Sequence, residues 1–254
     1  MLILLPPSEG KTRPGSGPSL DLDTLSFGRL TPVRAQLLRT LVRVCQGNPK
    51  RAREVLGLGP TQADAIARNA VLTEEPTARA DEVYTGVLFS ELDLASLDDA
   101  ARKRADGSLA IASALFGLLR PDDLIPAYRL SGTVSLPRLG AVAGRWRTPL
   151  PAVLRDATGD GLLVDLRSGT YAALGRPPAE LAERTVTMRV LHEHQGARKV
   201  VSHFNKATKG RIVRRLLESG VEPRSVAELQ SALTDLGWTV ERDGQRLDVV
   251  VAEV

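Results

Sequence analysis

Four apolar residues, Leu2-Ile3-Leu4-Leu5, followed at once by Pro6-Pro7, set the strongest limit on what this chain can become. A run this short, apolar at every position and closed by two prolines, reads as a buried strand that hands the chain to a loop. Residues 162–166, 185–191 and 199–204 are also short and rich in β-branched or apolar side chains, as strands are. Residues 238–242 and 245–252 flank Asp243-Gly244, a hairpin signal. In the first half, Val33, Leu37, Leu38, Leu41, Val42 and Cys45 recur at helical spacing across 32–46, and Gly47-Asn48-Pro49 ends that helix. Further helices are expected over 61–70, over 98–119 with a break near Asp106-Gly107, and over 205–219 with Gly220 as the stop. Ser225, with Glu228 three residues on, caps a last helix running to Leu236. No repeat and no long Pro/Gly/Ser linker divides the sequence. The expectation is a mixed α/β (α+β) fold, one domain over residues 1–254, helix-rich at the start and strand-rich later.

Composition removes several function classes. With 43% apolar and 25% charged residues, the chain has the balance of a globular protein. Its apolar runs fall far short of the ~18–20 residues that cross a bilayer, and no basic segment precedes the first of them. No membrane role and no signal peptide are expected. The single cysteine rules out an internal disulfide and fits a cytoplasmic location, and its place on an apolar stripe makes Cys45 a core thiol. His192 and His194 fall on one face of a strand without a third ligand near by, so no metal and no cofactor are expected. Aromatics at 4% argue against a base-stacking platform.

Charge is unevenly placed. The whole chain carries a net +4, whereas Arg198, Lys199, Lys206, Lys209, Arg211, Arg214 and Arg215 crowd one stretch that holds His203 and no acid. Projected at 100° per residue, Lys206 and Lys209 share the side of Ile212, Val213, Leu216 and Leu217, while Arg211, Arg214 and Arg215 point away. An inward lysine is costly unless it meets an anion or a wet cleft. These two lysines therefore read as cleft lining, or as snorkelling side chains of a loop if the helix begins later.

Three short segments carry the remaining chemistry. Leu56-Gly57-Leu58-Gly59-Pro60-Thr61, with Ala63 and Ile66 beyond, is similar to the hairpin of helix-hairpin-helix DNA-binding elements, here spanning about 48–70. Its glycines permit a tight turn whose N–H groups could hold a phosphate oxygen, with Arg51, Arg53 and Arg68 beside it. The plain alternative is a turn between two helices. Ser8-Glu9-Gly10-Lys11-Thr12 follows the first strand, but Leu5 stands where a P-loop needs glycine, and the partners of a Ser-x-x-Lys enzyme are missing. What is left is a strand-end loop presenting a lysine, hydroxyls and a carboxylate. Finally, Arg120, Asp122, Asp123, Tyr128 and Arg129 lie around Pro121 and Pro126, which restrict the backbone. The arginines suit bidentate anion contacts, or an internal Arg–Asp pair that staples a loop.

The chain resembles the YaaA peroxide-stress family over nearly its whole length. The matching stretches are Met1 to Leu4 with Lys11-Thr12, Val83-Tyr84-Thr85-Gly86, and the block from Phe116 through Arg120-Pro121-Asp122-Asp123 to Tyr128-Arg129-Leu130. Ser168 with Tyr171, and Ser202-His203-Phe204 with Lys206, Lys209, Gly210 and Arg214, complete them. The resemblance implies a family-specific single-domain α/β fold with a basic cleft and a helix-hairpin-helix element, DNA binding, and protection against iron-driven peroxide damage. Two functions are expected. In the first, the protein binds double-stranded or distorted DNA without sequence preference. The Gly57–Thr61 turn, Gly59, Arg53 and Arg68 grip phosphates, and Lys206, Lys209 and Arg214 form a second basic surface. In the second, an enzyme handles a small phosphorylated or carboxylated metabolite in an anion-binding cleft of Ser8, Lys11, Arg120, Arg129, Lys206, Lys209 and Arg214. Asp123 or Tyr128 would then act as acid or base, and Lys11 or Lys206 as nucleophile. A small-anion binding protein without turnover is the blander form of the second.

Overall fold

In the computed structural model, which describes residues 1–194 and 197–252, strand β1 (Leu2–Leu5) lies at the middle of an eight-stranded sheet. All four of its residues are at most 1% exposed, as an apolar run covered on both faces must be. On one side β1 pairs in parallel with β2 (Leu109–Ser113), which pairs antiparallel with the edge strand β3 (Gly117–Leu119). On the other side lie β4 (Leu163–Asp165), β5 (Thr185–His194) and, beyond them, β8 (Arg246–Ala252), all parallel to β1. Two antiparallel strands finish the sheet: β6 (Ala197–Lys199) on β5 and β7 (Thr239–Asp243) on β8. The mixed α/β class expected from the sequence is the one observed.

Helices α1 (Thr31–Gln46), α2 (Pro49–Leu56), α3 (Ala63–Ala70), α4 (Val87–Leu92) and α5 (Asp99–Ser108) fill the long connection from β1 to β2. Helix α6 (Pro149–Thr158) precedes β4, and α7 (Ser202–Ser219) and α8 (Val226–Asp235) link β6 to β7. Ser225 caps α8 by accepting the Glu228 N–H at 3.2 Å, and Gly220 ends α7 at φ 69°. On α1, Leu37, Leu38, Leu41 and Cys45 are buried as the spacing predicts, together with Arg34, which donates to the Phe116 and Leu118 carbonyls at the edge strand. Such a guanidinium takes up acceptors that an open sheet edge would offer to another chain.

Two expectations are corrected. Residues 109–119 were expected to continue a helix, yet they form β2 and β3. Their Ala and Leu content favours helix, but a place beside β1, where every residue of both strands is buried, overrides local propensity. Residues 199–204 were expected as a strand; β6 ends at Lys199 and α7 already starts at Ser202. The residues of α7 from 205 onward then bury Ile212, Val213, Leu216 and Leu217, and this packing extends the helix one turn backward. Among the described residues, no helix is long and apolar enough to cross a membrane.

Candidate functional site

Strand β1 sits between β2 and β4, so the chain leaves it toward one side and later returns to the other. In a parallel sheet that reversal opens a crevice beyond the strands' carboxyl ends. Here the crevice is a pocket of about 340 Å³. The loop after β1 (Pro6, Pro7, Glu9) forms one wall and Leu166 and Ser168 after β4 another. Helix α7 adds Asn205, Lys206 and Lys209. A neighbouring lobe of about 420 Å³ shares Pro6, Pro7, Glu9 and Lys206 and extends to Ser8 and the start of α4.

Lys209 is 9% exposed, and its ammonium makes one long hydrogen bond, 3.4 Å to the Leu166 carbonyl. Burial lowers its pKa to about 8, against the pull of Asp165. Asp165 is itself held by Arg167, Nε to Oδ1 at 2.8 Å and Nη2 to Oδ2 at 2.7 Å, so that carboxylate is already matched. Lys206 is exposed at the rim, one turn before Lys209. Asn205 also lines the pocket, its Oδ1 buried and without a hydrogen-bond partner among the described residues.

Behind the β1 loop a second amine is enclosed. Lys11 Nζ donates to the Ser8 carbonyl at 2.9 Å and lies 4.5 Å from the Tyr128 ring centre and 5.3 Å from that of Tyr84. Burial lowers its pKa to about 8, with Glu9 opposing and Arg129 and Arg68 adding to the fall. The Tyr128 hydroxyl joins those of Tyr84 (2.8 Å) and Ser113 (2.7 Å), and burial holds both phenols well above their ordinary pKa. A phenol so placed stays protonated at neutral pH and serves as a hydrogen-bond donor rather than a base. Arg129 forms an ion pair with Glu9, while its backbone exchanges two hydrogen bonds with the side chain of Asn69 on α3.

Other residues singled out from sequence are placed elsewhere. Arg120 donates to the Leu109 carbonyl at 2.7 Å, at the amino end of β2 and so opposite the crevice, and stacks over Phe27. The Asp123 carboxylate accepts the N–H groups of Ser26 (2.7 Å) and Arg120 (2.8 Å) and is buried as a loop staple. Arg214 donates to the Leu92 and Asp93 carbonyls at the end of α4 and pairs with Glu218. The basic stretch is largely neutralised in three dimensions: Arg198 pairs with Glu193 and Glu241, Arg211 with Glu91, and Arg215 with Glu218.

The glycine turn between α2 and α3 spends its N–H groups internally. Gly57, at φ 62°, donates to Glu54 O at 3.2 Å and Leu58 to Arg53 O at 3.0 Å, which closes α2. The Gly59 N–H goes to Gln62 Oε1 at 3.0 Å, and Arg68 pairs with Asp64 at 2.9 Å. Thr61 is exposed in the short 3-10 turn Pro60–Gln62, and Arg53 lies half-buried on α2. A row of open amides, expected from the sequence, is therefore not what this turn presents.

Beside the turn lies a surface the sequence reading passed over. A groove of about 440 Å³ separates α1 and the start of α2 from the loop around Arg138, and Arg43, Arg51 and Arg138 stand exposed around it. Among the described residues none of the three takes part in an ion pair. Arg138 is held at φ 62°, a conformation costly for a residue with a Cβ. The signal was available: residues 29–53 contain Arg29, Arg34, Arg39, Arg43, Lys50, Arg51 and Arg53 and no acid. Of these, Arg29 pairs with Asp156 and Arg34 is buried. Among the described residues, no group of three or more His, Cys, Asp or Glu side chains is placed to hold a metal ion.

Comparison with known proteins adds a family. The family model described as "Peroxide stress protein YaaA" matches residues 1–243. A UPF0246 protein of Streptomyces coelicolor is 52% identical, with both chains covered in full. UPF0246 proteins of Corynebacterium efficiens and Corynebacterium glutamicum are each 41% identical, over 100% and 96% of both chains.

Proposed function

The chain belongs to the peroxide stress protein YaaA family, and from that premise we propose that it binds the phosphate backbone of DNA through the groove between α1, α2 and Arg138. The observation that carries this reading is the set of unpaired, exposed arginines at 43, 51 and 138 around that groove. Guanidinium groups without carboxylate partners are free to make bidentate contacts with phosphate, and such contacts carry no base preference. Lys50, the next residue of α2 to Arg51, is exposed as well. Duplex, intact or distorted, is the partner. The glycine turn then acts as a brace that sets the angle of α2, and arginine side chains do the gripping. The lone thiol takes no part in peroxide chemistry: Cys45 is 5% exposed and burial pushes its pKa up to about 11, so reactive thiolate is scarce.

The test is fluorescence-anisotropy binding to a short duplex across a salt series, with wild type and the triple variant Arg43→Ser/Arg51→Ser/Arg138→Ser. These side chains are exposed, so the variant is expected to fold. Wild type should bind with strong salt dependence, and the variant's log–log slope should be shallower by about 2–3, as roughly 0.9 is lost per phosphate contact. Equal slopes and affinities, or no binding by wild type at low salt, would remove the groove from DNA recognition.

A further inference from the structure

The crevice at the carboxyl ends of β1 and β4 is separate from the arginine groove and has its own chemistry. Its acids are matched, Glu9 by Arg129 and Asp165 by Arg167. Lys206 and Lys209 are then surplus positive charges on its wall. Lys209 is nine-tenths buried, and among the described residues its amine meets one distant carbonyl. An ammonium has three donors, so this one keeps capacity for an acceptor that the protein does not supply. One helical turn before it, the Asn205 Oδ1 is a buried acceptor with no donor among the described residues. Buried groups of both kinds in one pocket lining, the first underused and the second unpaired, cost stability unless a ligand completes them.

Hydroxyls share the rest of the lining with Pro6, Pro7, Leu88 and Leu166. Ser131, Thr133, Ser168 and Thr170 all face this pocket. Ser131 and Thr133 bond each other at 3.0 Å, whereas Ser168 starts the turn Gly169–Ala172 without using its side chain as a cap. A ligand suited to this wall is an anion that balances two cations, and it also carries donors for Asn205 and for the hydroxyls. We propose that the pocket binds a small polyhydroxylated phosphate, of the sugar-phosphate class, with the phosphate on Lys206 and Lys209 and the hydroxyls on Asn205 and the Ser/Thr wall. A pocket of about 340 Å³ holds a molecule of that size. Lys209 is 9% exposed, so a free small phosphate suits it better than one fixed in a duplex backbone.

Isothermal titration at fixed ionic strength, with ribose 5-phosphate, ribose and inorganic phosphate as probes, tests the proposal. Ribose 5-phosphate should bind at least tenfold more tightly than either fragment. Lys209→Met should weaken it tenfold or more, and Asn205→Ala should erase most of its advantage over inorganic phosphate. Arg215→Ala, which removes one positive charge outside the pocket, should leave the affinity unchanged. Absence of ribose 5-phosphate binding at millimolar concentration overturns the proposal. Equal affinity for inorganic phosphate, or full affinity in Lys209→Met, overturns it too. None of these outcomes depends on whether the arginine groove binds DNA.

Discussion

Replacing Lys209 with methionine should make the protein more stable at neutral pH. Burial lowers the amine's pKa from its ordinary 10.5 to about 8. At ~1.36 kcal/mol per pH unit, holding the charged form inside the fold at pH 7 costs about 3 kcal/mol. Methionine keeps an unbranched side chain, one atom shorter, and removes the charge. It also forfeits the 3.4 Å contact to Leu166 O, worth about 1 kcal/mol. The net gain is about 2 kcal/mol, or roughly 4–8 °C in Tm for a chain of this size. Its pH dependence has a definite sign. Below pH 8 folded and unfolded chains both keep the proton and the full cost is present. Between about pH 8 and 10.5 the unfolded chain holds a proton that the folded one has released, so wild-type stability gains from rising pH and the variant's does not. Urea unfolding near pH 7, 8 and 9.5 should show the gap shrinking from about 2 kcal/mol to under about 0.5. A variant less stable than wild type at pH 7, or a gap that does not change with pH, would refute the reasoning. It would mean that the amine is well solvated in the folded protein.

Two further substitutions test the packing around the crevice. Gly210→Ala on α7 would place a methyl group 2.4 Å from the Leu88 carbonyl and 2.9 Å from Glu91 Cβ. Prising α7 from α4 should cost about 2–3 kcal/mol, read as a lowered urea midpoint. Tyr128→Phe removes the hydroxyl that joins Tyr84 and Ser113. A loss of about 1–3 kcal/mol in urea unfolding is expected, because two buried hydroxyls lose a partner.

Much of this architecture was legible one residue at a time. Leu2–Leu5 could only be a buried strand, α1 declared its apolar face, and Ser225 with Glu228 announced α8. The inward lysine at 209 was also readable, since a cation on the inward side of a helix needs a reason, whereas Lys206, expected on the same side, is exposed. Local sequence determines features of this kind, because they depend on neighbours three or four positions away. It determined much less about residues 109–119, whose helix-forming composition gives way to strands once β1 lies beside them.

Charge was decided almost wholly by tertiary structure. Seven basic residues without an acid between Arg198 and Arg215 looked like the cationic surface. Glu91, Glu193, Glu218 and Glu241 compensate several of them, and three of those acids lie outside that helix in strands or in α4. A second acid-free stretch, residues 29–53, leaves Arg43 and Arg51 open, because the chain folds Arg138 rather than a carboxylate against them. The same holds for the Arg120–Asp123 loop. Its residues lie a few positions from Tyr128, yet the direction of β2 and β3 sends Arg120 to the amino end of the sheet and leaves Tyr128 beside Ser113 at the carboxyl end. Spacing along a chain records which residues are near in sequence. Which charges are cancelled, and which strand end a loop reaches, depends on pairings across tens of residues that only the folded chain makes.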